Sequence, residues 1–292
     1  MRSVEVVCDQ KSELGEGPVW DVARGLICWV DILNGHIHEW DAEGNSLNTI
    51  KVDQMIGAIA VCVDGNYVAA LKNGFGIIDC KSGNVQMIAD PEEHLPENRF
   101  NDGKCDPSGR FWAGTMPLSE DKASGSLYVF NKDRSVIKME DNITISNGLA
   151  WSKAEKAFYY IDTPTLKVVR YDYAAENGTI TNKRTVIHIP KEAGFPDGMT
   201  IDREGMLWIA HWGGWQVTRW NPITGEQLTS FKLPASNITS CTFGGSAFKD
   251  LYITSARKGL SEEELKQQPL AGSLFVIRNC GYTGVPANEF KN

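Results

Sequence analysis

Short segments in which apolar and polar positions alternate recur along the whole chain, and each is bounded by Gly, Asp, Asn or Pro. Period-two alternation that is rich in Val, Ile, Tyr, Phe and Trp is typical of β-strands with one buried face. One recurring unit is a polar turn followed by an aromatic or aliphatic strand, and its copies begin at Trp20, Cys62, Cys105, Trp151, Ile201 and Phe243. A second unit, in which a glycine or polar residue precedes alternating apolar positions, begins at Gly35, Gly76, Gly125, Leu166, Trp215 and Gly272. The pattern predicts an all-β protein built from repeats.

The number and length of the repeats predict the architecture. Six copies of each unit in 292 residues give a mean period of about 49 residues, and such a repeat with several short strands is typical of a propeller blade. We therefore expect a six-bladed β-propeller that forms a single domain over residues 1–292. The strand predicted at residues 4–8 precedes the first repeat, so we expect it to pair with the last blade and close the ring. One helix is predicted at residues 261–268, where Ser261 and Glu264 can form a capping box.

Composition and charge restrict the partners of this domain. The chain has 29 basic and 37 acidic side chains, a net charge of −8, and lacks the clustered Lys and Arg that nucleic-acid binding requires. It also lacks an apolar run of about 18 residues that would span a membrane, and its first residues lack the apolar stretch of a secretory signal. Seven cysteines without a CxxC pair predict reduced thiols. We expect a cytoplasmic protein with no nucleic-acid or membrane partner and no obligate protein partner.

Equivalent positions of the repeats meet around the axis of a propeller, so the repeat alignment itself indicates a site. Five positions before the turn residue of the first unit, four repeats carry a side-chain oxygen, on Glu16, Asn101, Asn147 and Asp197. The two remaining repeats offer Ile59 or, with a longer turn, Gly57, and Thr239 or Ser240. Asn147 and Asp197 each precede a glycine, so an ordinary turn role is their alternative interpretation.

Two carboxylates and two carboxamides form a set of oxygen ligands that suits a hard divalent cation. We therefore expect a central metal-binding channel that holds one divalent cation. Ca²⁺ is the expected ion, and Mg²⁺, Mn²⁺ or Zn²⁺ are the alternatives, although these positions supply no thiolate or imidazole that would prefer zinc. His36 and His38 alternate after Gly35 and are interpreted as ordinary strand residues, and His211 as a packed histidine.

Several segments of the chain are similar to one known family. The segments LGEGPVW (residues 14–20), NRFNDGKCDPSGRFWAGTM (98–116), ISNGLAWS (145–152) and FPDGMTID (195–202) resemble the SMP-30/gluconolactonase/luciferin-regenerating enzyme family, in the same order along the chain. The resemblance implies a six-bladed propeller with one divalent cation in its axial channel, and the hydrolysis of sugar lactones. It also implies that Glu16, Asn147 and Asp197 are metal ligands and that Asp197 is the catalytic acid/base.

The resemblance implies a substrate-binding set as well. By this resemblance, Arg99 is expected to contact the hydroxyl or carboxyl groups of the substrate. Asn101 is expected to be a substrate contact or a fourth metal ligand. The family often has a substrate-binding Glu shortly after GTM, and Glu120 is the nearest candidate here, with Asp121 as a competitor. Asp102, next to Asn101, is assigned to the same set and is the second candidate for the base.

The expected reaction is the opening of a sugar lactone to an aldonic acid. A lactone is a cyclic ester, so the enzyme has to polarise its carbonyl group and deliver water. A bound dication can polarise the carbonyl oxygen, Asp197 can take a proton from water, and Gly198 is expected to let the substrate approach. Two other functions stay open, a non-catalytic calcium-binding or regulatory propeller and a protein-interaction propeller. A promiscuous metal-dependent esterase or phosphotriesterase is the alternative among enzymes.

Overall fold

The computed structural model of the protein describes residues 3–8 and 10–291, and its strands form six four-stranded antiparallel sheets. The first strand of each of these blades contacts the first strands of the neighbouring blades, so six inner strands surround a central axis. The predicted all-β, six-bladed propeller is therefore confirmed. Beginning from β1 (Glu5–Cys8), the strands are numbered in chain order.

In blades 1 to 5, four consecutive strands form each blade, and the first of the four is the innermost. Blade 1 contains β2 (Gly15–Asp21), β3 (Leu26–Asp31), β4 (His36–Asp41) and β5 (Ser46–Lys51). Blade 2 contains β6 (Ile56–Val61), β7 (Tyr67–Leu71), β8 (Gly74–Ile78) and β9 (Val85–Ala89). Blade 3 contains β10 (Asn98–Cys105), β11 (Phe111–Pro117), β12 (Gly125–Phe130) and β13 (Val136–Ile143).

The second half of the ring follows the same plan. Blade 4 contains β14 (Ser146–Ser152), β15 (Ala157–Asp162), β16 (Lys167–Ala174) and β17 (Thr179–His188). Blade 5 contains β18 (Phe195–Ile201), β19 (Leu207–Trp212), β20 (Gln216–Trp220) and β21 (Gln227–Lys232). Blade 6 contains β22 (Ile238–Gly244), β23 (Asp250–Ser255), β24 (Leu274–Ile277) and β1.

The first and the last strand of the chain pair with each other in blade 6. β1 pairs antiparallel with β24, with Glu5 opposite Val276 and Val6 opposite Phe275. The N-terminal strand thus occupies the outer edge of β24, whose backbone groups would otherwise lack strand partners.

Aromatic side chains fill the space between neighbouring blades. The ring of Phe75 in blade 2 lies 4.6 Å from that of Phe100 and 5.2 Å from that of Phe130 in blade 3. Phe290, near the end of the chain, stacks on Phe130 at 5.3 Å. Burial of each such ring removes a large apolar area from water, so these contacts fix the blades relative to one another.

One structural irregularity positions the candidate site. All six inner strands change register against the second strand of their blade, and these shifts lie at 16–19, 56–58, 100–103, 147–149, 196–199 and 238–240. A β-bulge bends the strand and redirects side chains. In blade 2 the shift lies at Gly57, so Gly57 and not Ile59 corresponds to the site position; Ile59 packs in the hydrophobic core.

The α-helix in the described part of the chain is α1, Glu262–Gln267. The hydroxyl of Ser261 accepts a hydrogen bond from the Glu264 backbone N–H, and the Glu264 side chain accepts one from the backbone of Ser261. The predicted capping box is confirmed. Short 3-10 turns occur at Thr163–Thr165 and Lys191–Ala193. Within residues 3–8 and 10–291, no helix has the length and apolar character needed to cross a bilayer.

Candidate active site

Five polar side chains predicted for the site are buried where the inner strands begin. Glu16 (β2), Arg99 and Asn101 (β10), Asn147 (β14) and Asp197 (β18) are each at most 6% exposed. They come from blades 1, 3, 4 and 5, and all lie in or next to the register shifts. The common bulge explains why residues at one position of four repeats reach the same region.

A chain of hydrogen bonds joins the amide and guanidinium groups across three blades. Arg99 Nη1 donates to Asn101 Oδ1 at 2.7 Å, and Asn101 Nδ2 donates to Asn147 Oδ1 at 3.0 Å. Asn147 Nδ2 donates to Thr163 Oγ1 at 2.8 Å, and Thr163 Oγ1 donates to the carbonyl oxygen of Pro196 at 2.8 Å. These contacts orient both amides and connect them to the residue before Asp197. Asn147 Oδ1 keeps a second lone pair for a ligand bond.

Three carboxyl groups share the centre of this network. The carboxyl groups of Glu16 and Asp197 lie within reach of a shared proton, and both interact electrostatically with Asp102. Burial raises the pKa of Glu16 to about 8, and the charge of Asp102 contributes to the increase. Burial raises the pKa of Asp197 well above its ordinary value, with further contributions from Glu16 and Asp102, and burial also raises the pKa of Asp102. The cluster therefore resists holding three negative charges without a cation.

The donor set fits a hard divalent cation. Asp197 Oδ1 and Asp102 Oδ2 are buried and have no hydrogen-bond partner among the described residues. Unpartnered buried carboxylate oxygens are costly, and a bound cation would satisfy them. The available ligand atoms on Glu16, Asn147 and Asp197 are oxygens, the type that Ca²⁺ and Mg²⁺ prefer. The predicted ligand roles remain proposals.

Lys104 belongs to the cluster although sequence reasoning did not single it out. Its Nζ donates to the carbonyl oxygen of Met199 at 2.6 Å and interacts electrostatically with Asp102. Burial lowers the pKa of Lys104, whereas the charge of Asp102 opposes that decrease. The sequence did offer one indication of this role. Lys104 follows Asp102 by two residues in a predicted strand, and alternate residues of a strand lie on the same face.

Asp102 connects the site to a cavity at the other end of the channel. This cavity has a volume of about 560 Å³ and is lined by Asp102, Lys104 and the C-terminal residues 285–288. The C-terminal segment crosses this end of the ring, because Arg203 N donates to Thr283 O and Asn288 Nδ2 donates to Cys105 O. Glu16, Asn101, Asn147 and Asp197 do not line the cavity. Asp102 therefore lies deeper than the other predicted substrate contacts.

Glu120 lies at the periphery of the site. It follows β11 in a loop of blade 3, is exposed, and forms an ion pair with Lys258 of blade 6. Blades 3 and 6 stand opposite each other in a ring of six, so this pair spans the channel mouth. The negative charge of Glu120 also opposes the decrease in the pKa of Arg99 that burial causes. Asp121 instead accepts a hydrogen bond from the hydroxyl of its neighbour Ser119.

The glycines of the site are required by close packing. A Cβ atom on Gly198 would lie 2.1 Å from Ser240 Oγ and 2.9 Å from Ser240 Cα. Gly148 has a φ of +35°, and a Cβ there would lie 2.9 Å from the carbonyl oxygen of Asp197. The inner strands of neighbouring blades approach closely at these positions. Packing between blades thus accounts for Gly198, and the substrate approach that the sequence suggested stays a prediction.

Comparison with known proteins relates this arrangement to one family. The family profile described as "SMP-30/Gluconolactonase/LRE-like region" matches residues 14–257. Regucalcin from Xenopus laevis is 39% identical over 292 residues, 98% of each chain. The putative sugar lactone lactonase YvrE of Bacillus subtilis is 39% identical over 280 residues, 95% of this chain and 96% of the relative.

A solved structure agrees with these relatives. The calcium-binding protein regucalcin from Agrobacterium tumefaciens superposes with a TM-score of 0.94 at 28% identity, covering 100% of this chain and 98% of that one. The resemblance noted in the four sequence segments is therefore confirmed. The chain belongs to the SMP-30/gluconolactonase/LRE-like family.

Proposed function

We propose that the protein is a divalent-metal-dependent hydrolase that opens sugar lactones to aldonic acids. The observation that carries this proposal is the buried group of Glu16, Asn147 and Asp197, whose Asp197 Oδ1 has no hydrogen-bond partner among the described residues. A buried carboxylate with an unsatisfied oxygen beside other carboxylates is suited to bind a cation and exchange a proton. The putative lactonase of Bacillus subtilis supports sugar lactones as the substrate class.

Glu16, Asn147 and Asp197 would hold the dication, each through a side-chain oxygen. We propose Ca²⁺ because the ligands are all oxygens and the regucalcin of Agrobacterium tumefaciens is described as a calcium-binding protein. When bound, such an ion polarises a carbonyl oxygen and stabilises negative charge that develops on it. Asn101 Oδ1 already accepts a hydrogen bond from Arg99, and Asn101 Nδ2 donates to Asn147 Oδ1. Through this second bond Asn101 would orient Asn147.

Asp197 would serve as the general base and then as the general acid. It accepts a proton from the attacking water while the water oxygen bonds to the lactone carbonyl carbon. As the bond between that carbon and the ring oxygen breaks, the same proton passes to the departing ring oxygen, which becomes a hydroxyl group. The aldonic acid then ionises in solution. Such a positioned base typically contributes about 10² to 10⁴ in rate.

Arg99 and its neighbours would bind the sugar. One nitrogen of the Arg99 guanidinium contacts Phe100 O and Asn101 Oδ1, so other donors of its planar group can bind hydroxyl groups. Glu120 at the mouth can accept from a sugar hydroxyl when it leaves Lys258. We assign Asp102 to the deep end of this substrate set, where it also balances the charge of Lys104.

The proposal is tested with a panel of lactones and metals. Chelated protein is refilled with Ca²⁺, Mg²⁺, Mn²⁺ or Zn²⁺ and assayed on gluconolactone, galactonolactone, xylonolactone and arabinonolactone. We expect hydrolysis of at least one lactone that depends on the added metal and is abolished again by chelation. The variant Asp121→Asn serves as a control that keeps turnover, since Asp121 is exposed and bonded to Ser119. Absence of turnover with every lactone and metal would contradict the proposal.

A non-catalytic calcium-binding propeller is the second candidate. The relatives named regucalcin, and the description of one of them as calcium-binding, favour it. The same three ligands would then bind Ca²⁺ without turnover, and the panel would give metal binding with no hydrolysis.

We further propose that the protein acts in the cytoplasm on a small molecule and without an obligate protein partner. Cys28, Cys62, Cys105 and Cys241 are buried free thiols, which is typical of proteins kept in a reducing compartment.

A further inference from the structure

Blade 1 carries a second group of ligand-type side chains, away from the central channel. One potential ligand atom from each of Asp31, His36 and His38 lies within 4.8 Å of the others. β3 and β4 pair so that Asp31 is directly opposite His36, and His38 follows His36 by two residues on the same face of the strand. The sheet register therefore holds two imidazoles and one carboxylate together.

An unpartnered nitrogen points to a ligand at this position. His38 is 1% exposed, and its Nε2 has no hydrogen-bond partner among the described residues. Its other nitrogen, Nδ1, lies 2.9 Å from Thr49 Oγ1. When Nδ1–H donates to this hydroxyl, Nε2 is left with a free lone pair, the arrangement commonly found for metal-binding histidines.

The contacts of Asp31 also match those of a metal ligand. Asp31 Oδ2 accepts from Glu13 N at 2.9 Å and from Asn34 Nδ2 at 2.8 Å, and Oδ1 accepts from Leu14 N at 3.1 Å. These bonds fix the orientation of the carboxylate without using every lone pair. His36 is half-buried, so it provides the route by which an ion reaches the two buried ligands.

We propose that Asp31, His36 and His38 form a second metal site, which binds Zn²⁺ or a similar transition-metal dication. Two imidazoles and one carboxylate suit such ions and are a poor set for Ca²⁺. In a tetrahedral site with bonds of about 2.0–2.1 Å the ligand atoms lie about 3.3 Å apart, so small side-chain rotations suffice to close the group. Water would occupy the fourth position.

The ion at this site would stabilise the segment that leads into the channel. Asp31 holds the backbone N–H groups of Glu13 and Leu14, and Glu16 of the channel follows two residues later. Fixing Asp31 would therefore fix the start of β2. Lys51, which is opposite His36 on β5, is exposed, so its ammonium group can remain in water.

The test uses Co²⁺ as a probe of the full-length protein saturated with Ca²⁺. We expect one equivalent of Co²⁺ to bind with the strong visible absorption of four-coordinate cobalt, and Zn²⁺ to displace it. His36→Asn is expected to weaken Co²⁺ binding at least tenfold, while lactone turnover of the Ca²⁺-loaded protein, measured without added Co²⁺ or Zn²⁺, stays unchanged. His188→Asn, which removes an exposed histidine on β17, is the matched control and should bind as the wild type does.

The channel variants separate this proposal from the proposed function. Glu16→Gln is expected to lose Ca²⁺ affinity and turnover and to retain the four-coordinate cobalt spectrum. Cobalt binding that survives in His36→Asn and disappears in Glu16→Gln would assign the ion to the channel and overturn the second site. Absence of four-coordinate cobalt in the wild type would overturn it as well.

Discussion

The inner strands carry buried carboxylates near both of their ends, and the two sets differ in how completely their oxygens are bonded. Asp106 follows β10 and is fully buried. Its Oδ2 accepts from Arg110 Nε at 2.6 Å, from Trp112 Nε1 at 3.0 Å and from Tyr173 OH at 2.8 Å. Asp202 after β18 is similar, with bonds from Trp208 Nε1 and Arg219 Nε.

The carboxylates near the start of the inner strands are not surrounded by hydrogen-bond donors in this way. Asp197 is joined to Glu16, another acid, and one of its oxygens has no partner among the described residues. In the part of the chain that the structure describes, Arg99 and Lys104 are the cations whose charges act on Glu16, Asp102 and Asp197. Burial alone therefore does not distinguish a structural aspartate from a functional one. The difference lies in whether the fold supplies donors to every oxygen.

The largest expected effect is on stability, and it contrasts the two ends directly. Asp106→Ala removes the partner of a buried arginine, a tryptophan and a tyrosine, so the free energy of unfolding should fall by about 3 to 5 kcal/mol. Asp197→Ala removes a charge that its neighbours repel, so the metal-free protein should be unchanged or more stable. Denaturant titration of both variants in chelator measures this. Equal destabilisation by both substitutions would contradict the distinction.

The next effect is the pH dependence of the metal-free protein. The folded-state pKa of Glu16 is about 8, above its ordinary value of 4.5, so the unfolded chain ionises first as the pH rises. Stability from this group is present below about pH 4.5 and is lost towards pH 8. At about 1.36 kcal/mol per pKa unit, we expect the free energy of unfolding in chelator to fall by up to about 5 kcal/mol over this window.

Added Ca²⁺ should reverse that trend, because ion binding displaces the protons and favours the ionised carboxyls. The stabilisation by Ca²⁺ is therefore expected to grow from pH 5 to pH 8, and Glu16→Gln should reduce this dependence. Thermal unfolding at several pH values, with and without the ion, gives the measurement. A stabilisation that is the same at all pH values would be inconsistent with raised carboxyl pKa values.

How far the sequence predicts this site depends on the kind of contact. Six repeats gave the blade count, and a fixed distance from a turn residue identified Glu16, Asn101, Asn147 and Asp197, because the bulge recurs at one place in each inner strand. The second blade departs from this spacing. Its bulge at Gly57 could be located only from the strand register in the structure.

The residues that were not found depend on partners that a sequence does not display. Lys104 donates to the carbonyl oxygen of Met199, and Thr163 accepts from Asn147 and donates to the carbonyl oxygen of Pro196. Any residue type supplies such a carbonyl oxygen, so the sequence does not mark these partners. His36 and His38 were correctly interpreted as strand residues. Their proximity to Asp31 follows only from the pairing of β3 with β4.

The smallest expected effect concerns the ion pair at the channel mouth. Lys258 and Glu120 are both partly exposed, and exposed pairs typically contribute less than about 1 kcal/mol. Lys258→Ala should change the free energy of unfolding by less than about 0.5 kcal/mol and lower KM about twofold to fivefold, because Glu120 is released for the sugar. Lys266→Ala, which removes a comparable pair on α1, is the control with unchanged KM. A higher KM in Lys258→Ala would mean that the lysine itself contacts the substrate.

The most direct test of the account is to measure metal content and turnover in the same sample of Asp197→Asn. The amide keeps an oxygen ligand and cannot accept the proton from water, so the variant should retain the ion with modest weakening. Its kcat should fall at least about 10²-fold. Near-wild-type hydrolysis by a fully metal-loaded Asp197→Asn would contradict the account and transfer the role of the base to another group, of which Asp102 is the nearest candidate.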